Sequence, residues 1–300
     1  MQRTQQLNWL DKLTALGVLA LGIAPAGAGY VDVVTADNPV AYWRLGEASG
    51  TSTAADASGN SHTANYGGSP TLGVTGAITS APASNQAVTL NGSSQYAQVD
   101  NAGAGTAFVP GSGNWTMECW VKTTSAQQGV FMAWYVGGVG NHGGGGLYDL
   151  YMQTDGTVKG LLRGDSDNVV SVTTSTTINN GSWHQVVGVL NRTTNTFALY
   201  VDGQFNVSSD ASTLGDITGN QSDGPLQAVP FTIGRAYTTL DDVGGYSYFS
   251  GTLDEVALYA SALSASDVLE HYNAATTVVP EPATLGLLAL GGLFVLRRRR

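Results

Sequence analysis

Short runs of apolar and polar residues in alternation, each closed by a cluster of Gly, Ser, Thr, Asn or Asp, recur along most of this chain. A period of two places successive side chains on opposite faces of an extended strand. Such runs are Val40–Leu45, Ala87–Leu90, Tyr96–Val99, Trp115–Lys122, Val130–Tyr135, Leu147–Gln153 and Val158–Arg163, followed by Trp183–Leu190, Thr196–Val201, Phe231–Ile233 and Gly251–Tyr259. In Trp115–Lys122, Trp115, Met117, Cys119 and Val121 share one face, and Thr116, Glu118, Trp120 and Lys122 share the other. Asp202-Gly203 is a hairpin signal leading into Gln204-Phe205. One helix is expected, near the end, where Ser264 to Asp267 forms a capping arrangement ahead of Val268, Leu269 and Tyr272. So many strands imply two packed antiparallel sheets, because a single open sheet leaves a whole apolar face in water.

The two ends read differently from the middle. Arg3 and Lys12 supply a basic stretch ahead of an uncharged run from Leu13 to Ala24, Pro25 breaks it, and Ala26-Gly27-Ala28 offers small residues for cleavage. That is the pattern of a signal peptide over 1–28, recognised by signal peptidase, with Asp11 an unusual acid in its basic region. At the other end, Pro280-Glu281-Pro282 precedes an apolar run from Ala283 to Leu296, and the chain stops on Arg297, Arg298, Arg299 and Arg300. A helix breaker, a short apolar helix and a cationic stop suit transient membrane insertion with the arginines at the cytoplasmic surface. In this order at the C-terminus, they resemble the PEP-CTERM sorting signal. The resemblance implies processing by an exosortase, and export to the cell surface or extracellular matrix of a Gram-negative bacterium.

Between these ends, residues 29–277 read as one domain without internal repeats. The chain has 12 basic and 22 acidic residues. Setting aside Arg3, Lys12, the four terminal arginines, Asp11 and Glu281 leaves 6 against 20, a formal charge of about −14. Nucleic acid and anionic lipid need a basic footprint, so neither is expected as a partner. Cys119 is the single cysteine and lies in an apolar strand pattern, which makes it a small buried hydrophobe without a disulfide partner.

A family resemblance spans most of this domain. Ala41 to Glu47, Ala55 to His62, Asn91-Gly92 before Tyr96-Ala97, and Trp115 to Lys122 with Trp120 and Lys122 in register occur in order. Trp183 to Val187, Leu199 to Gly203, Thr232 to Arg235 and Gly251 to Tyr259 followed by Ala262-Leu263-Ser264 continue it. The set resembles laminin-G-like domains of the concanavalin A-like superfamily. It implies an all-β, two-sheet antiparallel jelly-roll sandwich with one short C-terminal helix. It also implies recognition of glycans or proteins on loops or on a concave face.

Candidate sites follow from chemistry. Glycoside hydrolysis needs two carboxylates about 5–10 Å apart. Laminarinase-type relatives carry Glu-x-Asp-x-x-Glu on one strand, a string absent here; Glu118 stands alone, and adjacent Asp254 and Glu255 are expected on opposite faces. The four histidines show no paired zinc-ligand spacing. The turn Asp56-Ala57-Ser58-Gly59-Asn60 has the oxygen-rich, Gly-containing character that Ca²⁺ favours, and similar domains set this loop beside the strand of Asp254. A structural Ca²⁺ on Asp56, Asn60 and Asp254 is therefore expected, against an Asx-turn closed without metal.

Sugar binding calls for an aromatic ring beside hydrogen-bonding groups. Glu118, Trp120, Trp134, Tyr151, His142 in the Gly-rich loop Val136–Gly146, and Tyr246 are the candidates, although the strand aromatics read first as core, since a sandwich of this kind needs them. The function expected is non-catalytic recognition of polysaccharide. The rivals are a structural or adhesive protein that binds other surface proteins, and a glycoside hydrolase of atypical site.

Overall fold

The computed structural model describes residues 29–80, 85–100, 107–135, 146–164, 168–217, 230–236 and 248–277. These lie in one compact unit, 28–278. The sorting motif Pro280–Pro282, the terminal arginines and the proposed signal peptide fall outside them, as do His142 and Tyr246. No helix among the described residues is long and apolar enough to cross a membrane.

Strands numbered along the chain build two eight-stranded antiparallel sheets. The first runs β14 (Gln204–Asp210), β13 (Thr196–Val201), β12 (Trp183–Asn191), β7 (Trp115–Lys122), β16 (Ser250–Tyr259), β5 (Gln86–Asn91) and β4 (Thr71–Thr75), with β1 (Ala41–Trp43) also paired to β16. The second runs β11 (Val169–Thr177), β10 (Thr157–Arg163), β9 (Gly146–Met152), β8 (Gly129–Tyr135), β15 (Phe231–Ile233), β6 (Tyr96–Val99), β3 (Ala64–Gly67) and β2 (Thr53–Ala54). Every run expected as a strand contains one. Strands β2, β3, β4, β11 and β14 add to them, formed by Thr-, Ser- and Asn-rich segments that carry little apolar alternation.

The alternation decides what packs where. Met117, Cys119 and Val121 of β7 face the second sheet and join Trp134, Tyr148, Leu150 and Phe231 in the inter-sheet core. Trp43 stacks on Phe231 at 5.2 Å and on Phe108 at 6.1 Å within it. Each such fully buried side chain contributes about 1.5–3 kcal/mol. Burial also raises the Cys119 thiol pKa well above its ordinary value, so the residue is the inert hydrophobe its pattern implies.

A second apolar cluster lies on the outer face of the first sheet. Tyr42, Trp120, Val187, Val189, Tyr259 and neighbours pack there beneath two helices, α1 (Tyr30–Ala36) and α2 (Ala265–Thr276). The capping box of α2 forms as expected: the Asp267 N–H donates to Ser264 Oγ at 3.3 Å, and the Ser264 N–H to Asp267 Oδ2 at 2.8 Å. Its buried face is Val268, His271 and Ala275, while Leu269, expected inward, is exposed. Helix α1 is not signalled by its sequence, because Val31, Val33, Val34 and Thr35 are β-branched and weak helix formers. Tertiary burial of Tyr30 and Val34 holds it in place.

Candidate functional site

Glu118 and Trp120 point outward from β7, the side a ligand needs, but α1 and α2 cover them. Both are essentially unexposed. The Glu118 carboxylate accepts hydrogen bonds from Tyr30 Oη (3.2 Å), Gln185 Nε2 (2.7 Å) and Tyr259 Oη (3.0 Å), and lies 2.9 Å from His271 Nδ1. His271 Nε2 reaches Asp37 Oδ2 at 3.0 Å. Trp120 donates its indole N–H to Tyr30 Oη at 3.1 Å and stacks on Tyr272 at 5.8 Å. Its ring face is therefore already taken by a residue of α2.

Burial disfavours charge on both Glu118 and His271, but their mutual attraction and hydrogen bond outweigh it. Glu118 titrates below the usual carboxylate range. His271, with Asp37 adding to the same effect, is raised to about 9. This is a buried ion pair with every lone pair satisfied, which ties both helices to the sheet. The sequence places His271 within a helix but gives no sign of its role. Its two partners lie 153 and 234 positions away along the chain.

Asp254 and Glu255 correct the expectation of opposite faces. A bulge interrupts the pairing of β16 with β7 between Asp254 and Ala257, and Glu255 has a φ of +50°. Leu253 and Val256 both face the inter-sheet core, so two residues occupy the place of one and both turn outward. Asp254 Oδ2 accepts the Ala77 N–H at 2.7 Å. Glu255 is held by Tyr42 Oη, by Asn85 Nδ2 at 2.9 Å and by Arg44 at 3.3 Å. Burial, partly offset by Arg44, Tyr42 and their hydrogen bonds, raises Glu255 to about 7. Burial and the neighbouring Glu255 raise Asp254 well above its ordinary value. Asp254 Oδ1 is buried with no hydrogen-bond partner. Neither side chain is exposed, so this close pair has no route to a glycosidic bond.

The expected calcium ligands do not converge. Asp56 accepts N–H donors from Tyr42 (3.0 Å), Ser58 (2.9 Å) and His62 (2.8 Å), which is the metal-free Asx-turn arrangement. The Asn60 side-chain amide donates to the carbonyls of Pro39 and Val40, and Asp254 serves the Ala77 N–H instead. Among the described residues no group of three or more His, Cys, Asp or Glu could hold a metal ion. The donor set as arranged does not fit Ca²⁺.

Trp134 and Tyr151 are also not surface rings. Trp134 belongs to the inter-sheet core beside Tyr148. Tyr151 is buried on the other side of the second sheet with Val130, Ala133 and Ala236.

One open depression lies on the outer face of the first sheet. Beyond Trp120, the first sheet carries an open trough of about 430 Å³, lined by Thr89, Lys122, Thr123, Ser125, Ser250 and Thr252 among others. Thr89 and Thr252 share a hydrogen bond of 2.9 Å, and Thr123 Oγ1 donates to the Ser250 carbonyl at 2.6 Å. Gly251 lets the strands close up at its edge. A Cβ there would lie 2.6 Å from the Lys122 carbonyl oxygen and 2.7 Å from the Phe249 ring. Lys122 is exposed, and its ammonium has no hydrogen-bond or ion-pair partner among the described residues. Strand alternation places Lys122 on the outer face of β7 without signalling a role for it.

Two antiparallel sheets packed around an aromatic core define a jelly-roll sandwich. The chain belongs to the concanavalin A-like lectin/glucanase superfamily, whose family description matches residues 91–269. The PEP-CTERM protein-sorting motif matches residues 278–300, which marks an exported protein.

Among solved structures, the binding domain of paraclostridial mosquitocidal protein 1 aligns with a TM-score of 0.56 at 16% identity, over 80% of this chain and 52% of that one. The botulinum neurotoxin serotype D ligand-binding domain, in complex with N-acetylneuraminic acid, gives 0.54 at 13% identity, over 82% and 52%. The receptor-binding domain of the C/D mosaic serotype gives 0.52 at 12%, over 79% and 51%. The chain spans about half the length of these domains, and at such identities the likeness is one of fold. No curated protein sequence matches the chain.

Proposed function

We propose that this is an exported, exosortase-processed protein of the Gram-negative cell surface or matrix, whose domain recognises polysaccharide without cleaving it. The observation that carries the reading is the contrast in access. The carboxylates Glu118, Asp254 and Glu255 are sealed, whereas the trough around Lys122 presents hydroxyls and an ammonium to solvent. Sugar recognition uses such directional polar groups on a largely preformed surface. The sorting motif supports delivery outside the cell, where a surface or matrix polysaccharide is within reach.

The test is retention of the full-length chain on immobilised polysaccharides, with elution by the same polymer in solution and a parallel assay for new reducing ends. Retention without new ends is the expected result. Retention only on surface proteins would replace this reading with the adhesive one, and release of reducing ends would restore the hydrolase.

A further inference from the structure

The registers of five strands set one line of side chains across the outer face of the first sheet. Thr71 pairs with Thr89, Thr89 with Thr252, Thr252 with Lys122, and Lys122 with Trp183. Directly opposed residues share a face, so all five side chains project the same way. Four inter-strand steps of about 4.8 Å make a row of roughly 19 Å, running perpendicular to the strands. Thr71 and Lys122 are exposed, and Thr89, Thr252 and Trp183 are half-buried. The row therefore offers a ring edge or face at one end, an ammonium beside it, and three hydroxyls beyond.

The ammonium gives the row its chemistry. The domain 29–277 has six cationic side chains against 20 acidic ones. Arg44 is spent on Glu255, Arg192 on the carbonyls of Gly111 and Gly215, and Arg235 on Gln98 and the Tyr96 ring. Arg163 is engaged as well. Among the described residues Lys122 and Lys159 have no hydrogen-bond or ion-pair partner. Lys159 is half-buried on β10 of the second sheet, whereas Lys122 is exposed in the trough, between a tryptophan and a hydrogen-bonded threonine pair.

We propose that this row binds an extended acidic polysaccharide. A carboxylate or sulfate of one sugar unit sits on the Lys122 ammonium, neighbouring units hydrogen-bond Thr252 and Thr89, and Trp183 flanks the chain. The proposal rests on the polysaccharide reading above and adds to it a site, a direction and a charge. The contact is a single local ion pair at Lys122, unlike the broad basic footprint that nucleic acid or an anionic bilayer needs and that a domain of about −14 lacks.

The experiment is calorimetric titration of the full-length chain, wild type, K122M, K122R and T252V, with polygalacturonate, carboxyl-reduced polygalacturonate, dextran sulfate and dextran. Losing a charge-assisted contact corresponds to about tenfold in affinity. K122M should lose about that much on polygalacturonate, on dextran sulfate or on both, and the affected polymer identifies the anion. K122R should stay near wild type, T252V should weaken binding by less than K122M, and the carboxyl-reduced polymer should bind wild type and K122M alike.

Equal affinity of wild type and K122M for both anionic polymers, or equal loss on the reduced polymer, overturns the acidic-sugar site. Binding of dextran alone also overturns it, while leaving polysaccharide recognition standing. Failure of the wild type to bind any of the four, together with failure on the immobilised panel, removes the broader reading too.

Discussion

Two adjacent stretches of one sheet face have opposite fates. Gln185, Trp120 and Asp254 form a cross-strand row, and two residues further along the same strands lie Trp183, Lys122 and Thr252. The first row is roofed by α1 and α2, and its polar groups are bonded to Glu118, Tyr30 and Ala77. In the second, Lys122 is exposed and Thr252 half-exposed, while Trp183 at its end is half-buried against the cluster beneath the helices. Strand alternation puts polar residues outward in both rows, so alternation alone does not say which of them meets a ligand. The segments at either end of the domain decide it, by folding over one row and stopping short of the other.

Removing the centre of the roofed network should produce the largest effect. Glu118→Ala leaves the buried His271, Gln185 and Tyr259 groups without their acceptor. Breaking a buried pair from one side costs about 3–5 kcal/mol. Urea unfolding of the full-length chain should register that loss. A change below about 1 kcal/mol would mean that the network holds the helices only weakly.

The same network sets a pH dependence. His271 titrates near 9 in the folded chain against 6.5 unfolded, so its stabilisation is complete below 6.5 and lost as pH rises through 9. That shift corresponds to about 3 kcal/mol. Glu255 is raised from 4.5 to about 7, so its contribution is present below 4.5 and disappears as pH climbs past 7. Glu118 is shifted the other way and withdraws support as pH falls below its unfolded value. Stability should therefore peak near the mildly acidic end, between these limbs, and decline toward alkaline pH. Glu255→Gln should flatten the limb between about 4.5 and 7 while leaving the alkaline one. A melting profile flat from pH 5 to 9 would contradict both assignments.

A smaller loss is expected at the Asp56 turn. Its carboxylate serves three main-chain donors, and Asp56→Ala should cost about 2 kcal/mol. Because those donors occupy the oxygens a cation needs, EDTA or added Ca²⁺ should leave the melting temperature unchanged. A rise on adding Ca²⁺ would show that the turn rearranges around the metal.

The sandwich was readable because its strands alternate cleanly, and the inward set of β7 could be named residue by residue. The aromatic candidates Trp120, Trp134 and Tyr151 were ambiguous, since a ring suited to stacking on sugar is equally suited to filling a core. Trp134 and Tyr151 are buried within and behind the second sheet, and Trp120 is covered by α1, whose β-branched sequence does not announce a helix. The bulge at Glu255, which no alternation pattern contains, likewise turns Asp254 and Glu255 the same way. His271 was legible only as a polar residue in a helix. Its importance comes from contacts that join the two ends of the domain to its middle.

The smallest effect sharpens the comparison most. Among the described residues Lys122 is exposed without an ion-pair partner, and the Thr252 hydroxyl bonds only to Thr89. Lys122→Met and Thr252→Val should each change unfolding free energy by no more than about 0.5 kcal/mol. Trp120, one row away, makes its contacts with the helices, so Trp120→Ala should cost about 3–5 kcal/mol. Residues only two positions apart on β7 would then differ several-fold in structural cost, with the cheaper one carrying any ligand dependence. If Lys122→Met proves as costly as Trp120→Ala, the open row is part of the scaffold and the division of the face into a sealed half and a working half fails.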